Sequence, residues 1–367
     1  MDFKSLKNEE RAIFELRSLY ERYGYSQYKM SKFEEYDLYV RNKNFLVSDN
    51  IITFTDTNGK LMALKPDVTL SIIKNSKDVE ECVQKVYYNE NVYRVSKGTQ
   101  SFKEIMQVGL ECIGNIDTYN IYEVLMLAAE SLKKISASFV LDISNLEIVS
   151  EVIEKMGVSS NAKKELIKCM GEKNIHGINA ICKEEGVDGE DVKKLVSTYG
   201  DPDSVLPVIR SIVGDSKAVN DMEIIVNALK KNGYGKNVHI DFSVIDDMSY
   251  YNGFVFKGFV DGISASILSG GQYDNLMAKM RRKSGAIGFA VYLDALERLG
   301  ENDREYDVDI VVLYDNDCDI EALNDTVNML TSSGNSVMVQ KSVPEKVHYR
   351  QLLKVQERGV QIVENNA

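Results

Sequence analysis

YYNENVYRVSKGTQSFKEIMQVGLECIG, residues 87–114, carries two extended segments, Lys85–Val95 and Lys103–Ile113, joined by a polar Ser/Lys/Gly/Thr/Gln loop. That is the sequence signal of an antiparallel hairpin. Period-two alternation sets the faces of the second segment: Met106, Val108, Leu110 and Cys112 share one side, and Gln107, Gly109 and Glu111 share the other. An amide, a bare backbone and a carboxylate in a row leave room for something polar, because Glu is almost never fully buried without a partner. The plain alternative is a solvated face, and the rest of the chain bears on that choice.

At 367 residues the chain has room for two or three domains. Its apolar fraction of 44% is that of an ordinary globular protein. No apolar run approaches a membrane span and MDFKSLKNEERAIF has no secretory core, so a cytoplasmic location is expected. Five scattered cysteines without CxxC spacing and three distant histidines indicate neither a disulfide framework nor a metal site. With 56 acidic against 44 basic residues, a net charge of −12 argues against a dedicated nucleic-acid binder, whose affinity depends on neutralising phosphates.

Upstream, Ala12, Ile13, Leu16, Leu19 and Tyr20 give an amphipathic helix over Asn8–Tyr23. Asn58-Gly59 marks a hairpin turn, and after Pro66 a helix begins near Thr69. Asp67 and Thr69 therefore sit at a strand-to-helix junction, as helix caps or as side chains of a cleft. Downstream, a helix spans Asn120–Lys133 and a strand Phe139–Ile143. Residues 146–235 read as a charged helical insertion, and strands resume at Val238–Val244. The stretch from Asp246 to Phe259 reads as a buried strand pairing with Ile263–Leu268, and Ser269-Gly270-Gly271-Gln272-Tyr273-Asp274 as a tight turn into a helix. GAIGFAVYLDALERL reads as a strand becoming a helix. The last unit, 303–367, alternates strand Asp307–Leu313, helix Ile320–Thr331, strand Ser336–Gln340, helix Tyr349–Arg358 and strand Val360–Val363, predicting a small parallel α/β domain.

The order of four motifs, LKPDVT, VYRV with FKEIMQVGLECIG, SYYNGFVF, and SGGQYD with GAIGFAVYLDAL, resembles the catalytic core of the histidine–tRNA ligases, a class II aminoacyl-tRNA synthetase fold. The resemblance covers about residues 10–145 and 236–300. It implies an α+β core with an antiparallel sheet (1–145 and 236–302), the insertion at 146–235, and a short anticodon-binding-like α/β unit. Carried over, the family's amino-acid pocket falls on Asp67, Thr69, Arg94, Gln107, Glu111, Tyr250, Tyr251, Gly271 and Tyr273. The set is physically coherent: carboxylates and amides suit an ammonium, and tyrosines offer a ring face and a hydroxyl to an imidazole.

The ATP half of the ligase site does not carry over. Joining a carboxylate to an α-phosphate concentrates negative charge, which guanidinium clamps offset. Arg94 remains, but the ligases' arginine before the tyrosine pair is Asp246, that of the last glycine-rich motif falls at Ala295, and R-Y-R-E-F in the hairpin loop has become Ser101-Phe102-Lys103-Glu104-Ile105. The chain is thus most similar to the ATP phosphoribosyltransferase regulatory subunits, ligase-like proteins with a P-D-x-T first motif like Pro66-Asp67-Val68-Thr69. That resemblance implies no catalysis, no cofactor or metal, and no tRNA. It implies a short-form ATP phosphoribosyltransferase catalytic subunit as partner, histidine as effector, and a homodimer within a hetero-oligomer. A divergent histidine–tRNA ligase is the alternative.

Overall fold

The computed structural model describes residues 7–42, 51–76, 82–95, 101–245, 250–298, 306–356 and 359–366. The chain divides at residues 299/300 into two compact units. In the first, α1 (Asn8–Arg22) buries Ala12, Leu16, Leu19 and Tyr20, the stripe its spacing dictates. Then come β1 (Ser26–Gln27), β2 (Phe33–Glu35), α2 (Tyr36–Arg41), β3 (Thr53–Thr55), β4 (Leu61–Leu64) and α3 (Thr69–Asn75). The Asn58-Gly59 turn joins β3 to β4, with Gly59 at φ +81°, where an L side chain would be strained.

The hairpin forms as its alternation requires: β5 (Gln84–Val95) pairs antiparallel with β6 (Phe102–Gly114), Tyr88 opposite Gly109 and Val86 opposite Glu111. After it, α4 (Thr118–Ile135) is capped by Asp117, whose Oδ1 accepts from the Asn120 amide at 2.9 Å. From β7 (Phe139–Asn145) the chain enters α5 (Leu146–Lys155), α6 (Ser160–Gly171), α7 (Ile175–Glu185), α8 (Glu190–Ser197), β8 (Tyr199–Gly200), α9 (Pro202–Val213) and α10 (Lys217–Leu229). It returns as β9 (Val238–Asp241), which lies parallel to β7. Parallel neighbours need a long crossover, and the helical insertion is that crossover. Its Leu166, Val192, Ile209 and Ile225 share one core with Leu110 of β6 and Leu127 of α4.

The remaining elements are β10 (Phe254–Val260), β11 (Leu268–Gln272), α11 (Asp274–Lys279) and β12 (Gly285–Tyr292), followed by a 3₁₀ segment over Leu293–Arg298. Nine strands form one mainly antiparallel sheet in the order β1-β5-β6-β12-β11-β10-β7-β9-β8. Two expectations are corrected here. The partner of β10 begins at Leu268 rather than Ile263, and Gly270-Gly271 lie inside β11, not in a turn. A Cβ on Gly270 would come within 2.4 Å of the Gly288 carbonyl, and one on Gly271 within 2.7 Å of the Phe254 carbonyl and the Tyr251 ring. The glycines serve close packing across the sheet.

The second unit has β13 (Val308–Leu313), α12 (Ile320–Ser332), β14 (Val337–Gln340), β15 (Tyr349–Gln356) and β16 (Gly359–Asn365) in the order β14-β13-β15-β16. The expected helix over Tyr349–Arg358 is instead β15, and β16 pairs with it antiparallel, so the unit is mixed rather than all-parallel. Leu352 and Leu353 explain the difference. As neighbours on a strand they point to opposite faces, Leu352 joining Val308 and Val311, and Leu353 joining Ile310 and Val312.

Candidate functional site

The face of the main sheet opposite α1 and α4 carries the site. Pairing register places Tyr88 on β5, Gly109 on β6, Ala290 on β12 and Ser269 on β11 in one row, and Val86, Glu111, Gly288 and Gly271 in the next. Small residues keep this floor low. A Cβ on Gly109 would meet the Tyr88 hydroxyl at 2.4 Å, and one on Gly288 would meet Glu111 Oε2 at 1.8 Å. The Glu111 carboxylate therefore lies across Gly288.

Glu111 is 2% exposed. Both its oxygens are occupied: Thr69 Oγ1 donates to Oε1 at 2.8 Å, and the Tyr273 hydroxyl donates to Oε2. Burial is the largest influence on its carboxyl and pushes the pKa up to about 8; the two hydroxyls oppose the shift and nearby Asp67 reinforces it. Asp67 is also held above the usual carboxylate range by burial, against the pull of the Leu70 amide and the Arg94 guanidinium. Two acids thus lie near one another, Glu111 buried and Asp67 partly so. Such a site favours a cation that can pair with both.

The cap reading of Asp67 is borne out, since its Oδ1 accepts from the Leu70 amide at 2.9 Å at the first turn of α3. Gln107 is 3% exposed, and its amide makes no hydrogen bond to another described residue. Tyr250 packs on Tyr251 with ring centroids 4.5 Å apart and on Tyr273 at 5.9 Å, forming an aromatic wall. Gly271 lies beneath Tyr251. Arg94 Nε donates to the Pro66 carbonyl at 3.1 Å, bracing the turn that carries Asp67. Asp246 lies outside the described residues, as do Ser96–Gln100 of the hairpin loop. Ala295 packs against the apolar core.

A family model described as histidyl-tRNA synthetase matches residues 3–296. The chain belongs to the histidyl-tRNA synthetase family. Within that family, the ATP phosphoribosyltransferase regulatory subunit of Oceanobacillus iheyensis is 26% identical over 324 residues, covering 85% of this chain and 79% of the relative. A crystal structure titled as an ATP phosphoribosyltransferase regulatory subunit/histidyl-tRNA synthetase from Bacillus halodurans superposes with a TM-score of 0.76 at 21% identity, covering 95% of this chain and 93% of that one. The ATP phosphoribosyl transferase (HisG:HisZ) complex from Thermotoga maritima contains a chain with a TM-score of 0.63 at 18% identity, over 78% of this chain and 97% of that one. These likenesses establish the class II synthetase-like α+β fold.

In this histidyl-tRNA synthetase homologue, several supports of the site are not obvious from sequence. Asn252 Nδ2 donates to Asp274 Oδ2 at 3.0 Å, the Asp274 amide donates back to Asn252 Oδ1 at 2.7 Å, and Asp274 Oδ1 accepts from the Ala286 amide at 2.8 Å. This clasp ties the tyrosine-pair loop to the start of α11. Gln272 Oε1 accepts from the Phe254 amide at 2.8 Å, over Gly253. The fully buried Lys65 pairs with Glu90 at 2.8 Å beside the Asp67 turn. Only the adjacency of Asn252 and Asp274 to the YY and QY motifs hinted at the clasp. Among the described residues no group of acids, histidines or cysteines is arranged to hold a metal, and no helix is long and apolar enough to cross a membrane.

Proposed function

We propose that this chain is a non-catalytic regulatory subunit of ATP phosphoribosyltransferase, acting in the first step of histidine biosynthesis. It works in the cytoplasm, as a homodimer within a hetero-oligomer, with a separate short-form catalytic subunit. Histidine bound between Asp67, Glu111 and the tyrosine wall is the signal it passes on. The observation that carries this reading is the acidic, hydroxyl-lined site around Glu111. Thr69 and Tyr273 hold Glu111 in place, and Arg94 is engaged on the Pro66 carbonyl. The curated relatives named as regulatory subunits support the partner and the pathway.

An ammonium or imidazolium entering this pocket meets two carboxylates whose pKa values burial has raised. Its charge offsets the desolvation that Glu111 and Asp67 bear in its absence, so binding is selective for cations. For feedback, histidine must bind one quaternary state more tightly than another, typically by about 1–3 kcal/mol. Asp67, which caps the first turn of α3, and Glu111, which lies in β6, report occupancy through those two elements.

The decisive experiment is co-purification with a short-form phosphoribosyltransferase subunit, with and without histidine, followed by a transferase assay. Activation by this chain and inhibition by histidine are expected, with Glu111→Ala and Asp67→Asn weakening inhibition but not activation. Robust histidine-dependent pyrophosphate exchange by the isolated chain would overturn the reading in favour of a working ligase.

A further inference from the structure

Away from the sheet face, α1, α4 and the turn after α10 enclose a cleft of about 400 Å³. That size lies within the range of small-molecule sites. Its floor is apolar, from Leu19 and Met126, and its sides carry groups of both charges, Arg22 and Glu130, with Asn232 and the rings of Tyr23 and Tyr234 between them. One wall is formed where the helical course of α10 ends: the chain kinks at Gly233, which sits at φ +89°.

The charged groups differ in how they are committed. Arg22 has no hydrogen-bond or ion-pair partner among the described residues. Glu130 is held from one side, the Tyr234 hydroxyl donating to Oε2, which leaves Oε1 to a ligand. Tyr234 is itself fixed, edge-on to Phe139 with centroids 6.5 Å apart and with Lys133 Nζ 5.6 Å over its ring. The Asn232 amide donates to the Tyr122 hydroxyl, so the polar wall is braced as well.

We propose that this cleft is a second small-molecule site, distinct from the Glu111 pocket, and that it takes a free α-amino acid with a planar side chain. Arg22 receives the carboxylate through its planar donor fork. Glu130 Oε1 receives the ammonium. The side chain lies on Met126 and against the Tyr23 ring, which suits a flat apolar or aromatic group. A ligand with one charge alone leaves either the guanidinium or the carboxylate unmatched.

The test is calorimetric titration of the full chain with L-phenylalanine, 3-phenylpropionate and phenethylamine. L-Phenylalanine is expected to bind with one saturable site, and each singly charged analogue about ten-fold or more weaker, the loss of one charge-assisted contact. Arg22→Glu, which reverses the charge, and Asn232→Trp, which fills the cleft from an exposed position, should each weaken phenylalanine about ten-fold or more with an unchanged melting temperature. Glu111→Gln should leave this binding intact, which separates it from the pocket on the sheet. No saturable binding, equal affinity for 3-phenylpropionate, full affinity in Arg22→Glu and Asn232→Trp, or loss in Glu111→Gln would each overturn the assignment.

Discussion

Thr69 Oγ1 donates to Glu111 Oε1 at 2.8 Å, joining the first turn of α3 to the middle of β6. This bond fixes a carboxylate that would otherwise be buried with a lone pair unmet. Thr69→Val keeps the shape and removes the donor, leaving a buried acceptor unpaired, a loss of about 1–3 kcal/mol. The expected outcome is a lower denaturation midpoint at pH 7 with an unchanged slope, and weaker histidine binding. Thr69→Ser should restore most of both; a midpoint equal to wild type in Thr69→Val would show the bond to be dispensable.

Gly288 is the position at which β12 yields to the site. A Cβ there would stand 1.8 Å from Glu111 Oε2 and 2.5 Å from the Leu110 carbonyl. The carboxylate can swing away but the backbone of β6 cannot, so Gly288→Ala must shift the pairing of two central strands. Overpacking of this kind costs about 1–3 kcal/mol or more. A drop in melting temperature together with loss of histidine binding is expected. A variant as stable as wild type would mean that the strands separate more easily than their packing indicates.

The polar face of β6 was legible because strand alternation is strict: once Leu110 faces the core, Glu111 cannot. The contacts of Thr69 and Tyr273 with Glu111 were not contained in alternation at all. They came from motif order, since contacts across 42 or 162 residues leave no local trace. Sequence failed where tertiary packing overrode local preference. Lys354 and the Leu352-Leu353 pair suit a helix, yet pairing with Val308–Leu313 makes them a strand with a core on each side. Gly270-Gly271 suit a turn, yet they let β10, β11 and β12 close up. The Asn252–Asp274 clasp was barely legible because a short polar residue in a loop and another at a helix start match many surface turns and caps equally well.

Arg94 acts through the turn that carries Asp67. With its Nε on the Pro66 carbonyl at 3.1 Å, it acts on Asp67 by holding the turn and by its charge, which lowers the Asp67 pKa. Arg94→Met should therefore weaken histidine binding about ten-fold, by way of a displaced and more readily protonated Asp67. Arg94→Lys preserves the charge without the fork and should recover part of the affinity. Titration calorimetry of the three proteins checks this, and identical affinities would remove Arg94 from the site.

The Glu111 carboxyl makes stability and ligand binding depend on pH in a defined sense. Its folded-state pKa is about 8, raised by burial from an ordinary 4.5. Between these values the folded state holds a proton that the unfolded chain releases, so the contribution of Glu111 is complete below 4.5 and is lost as pH rises through 8. Melting temperature should fall across that window, and Glu111→Gln, which cannot ionise, should flatten the fall. Asp142, raised by burial and by Asp241 to about 6, adds a decline at lower pH, between 3.8 and 6, that the Gln variant keeps. A cationic ligand favours the ionised carboxylate, so histidine binding at pH 7 should expel part of the Glu111 proton. Calorimetric enthalpies measured in buffers of different ionisation enthalpy would then differ in wild type and converge in Glu111→Gln. Equal enthalpies in wild type would mean that Glu111 keeps its proton and meets the ligand as a neutral donor.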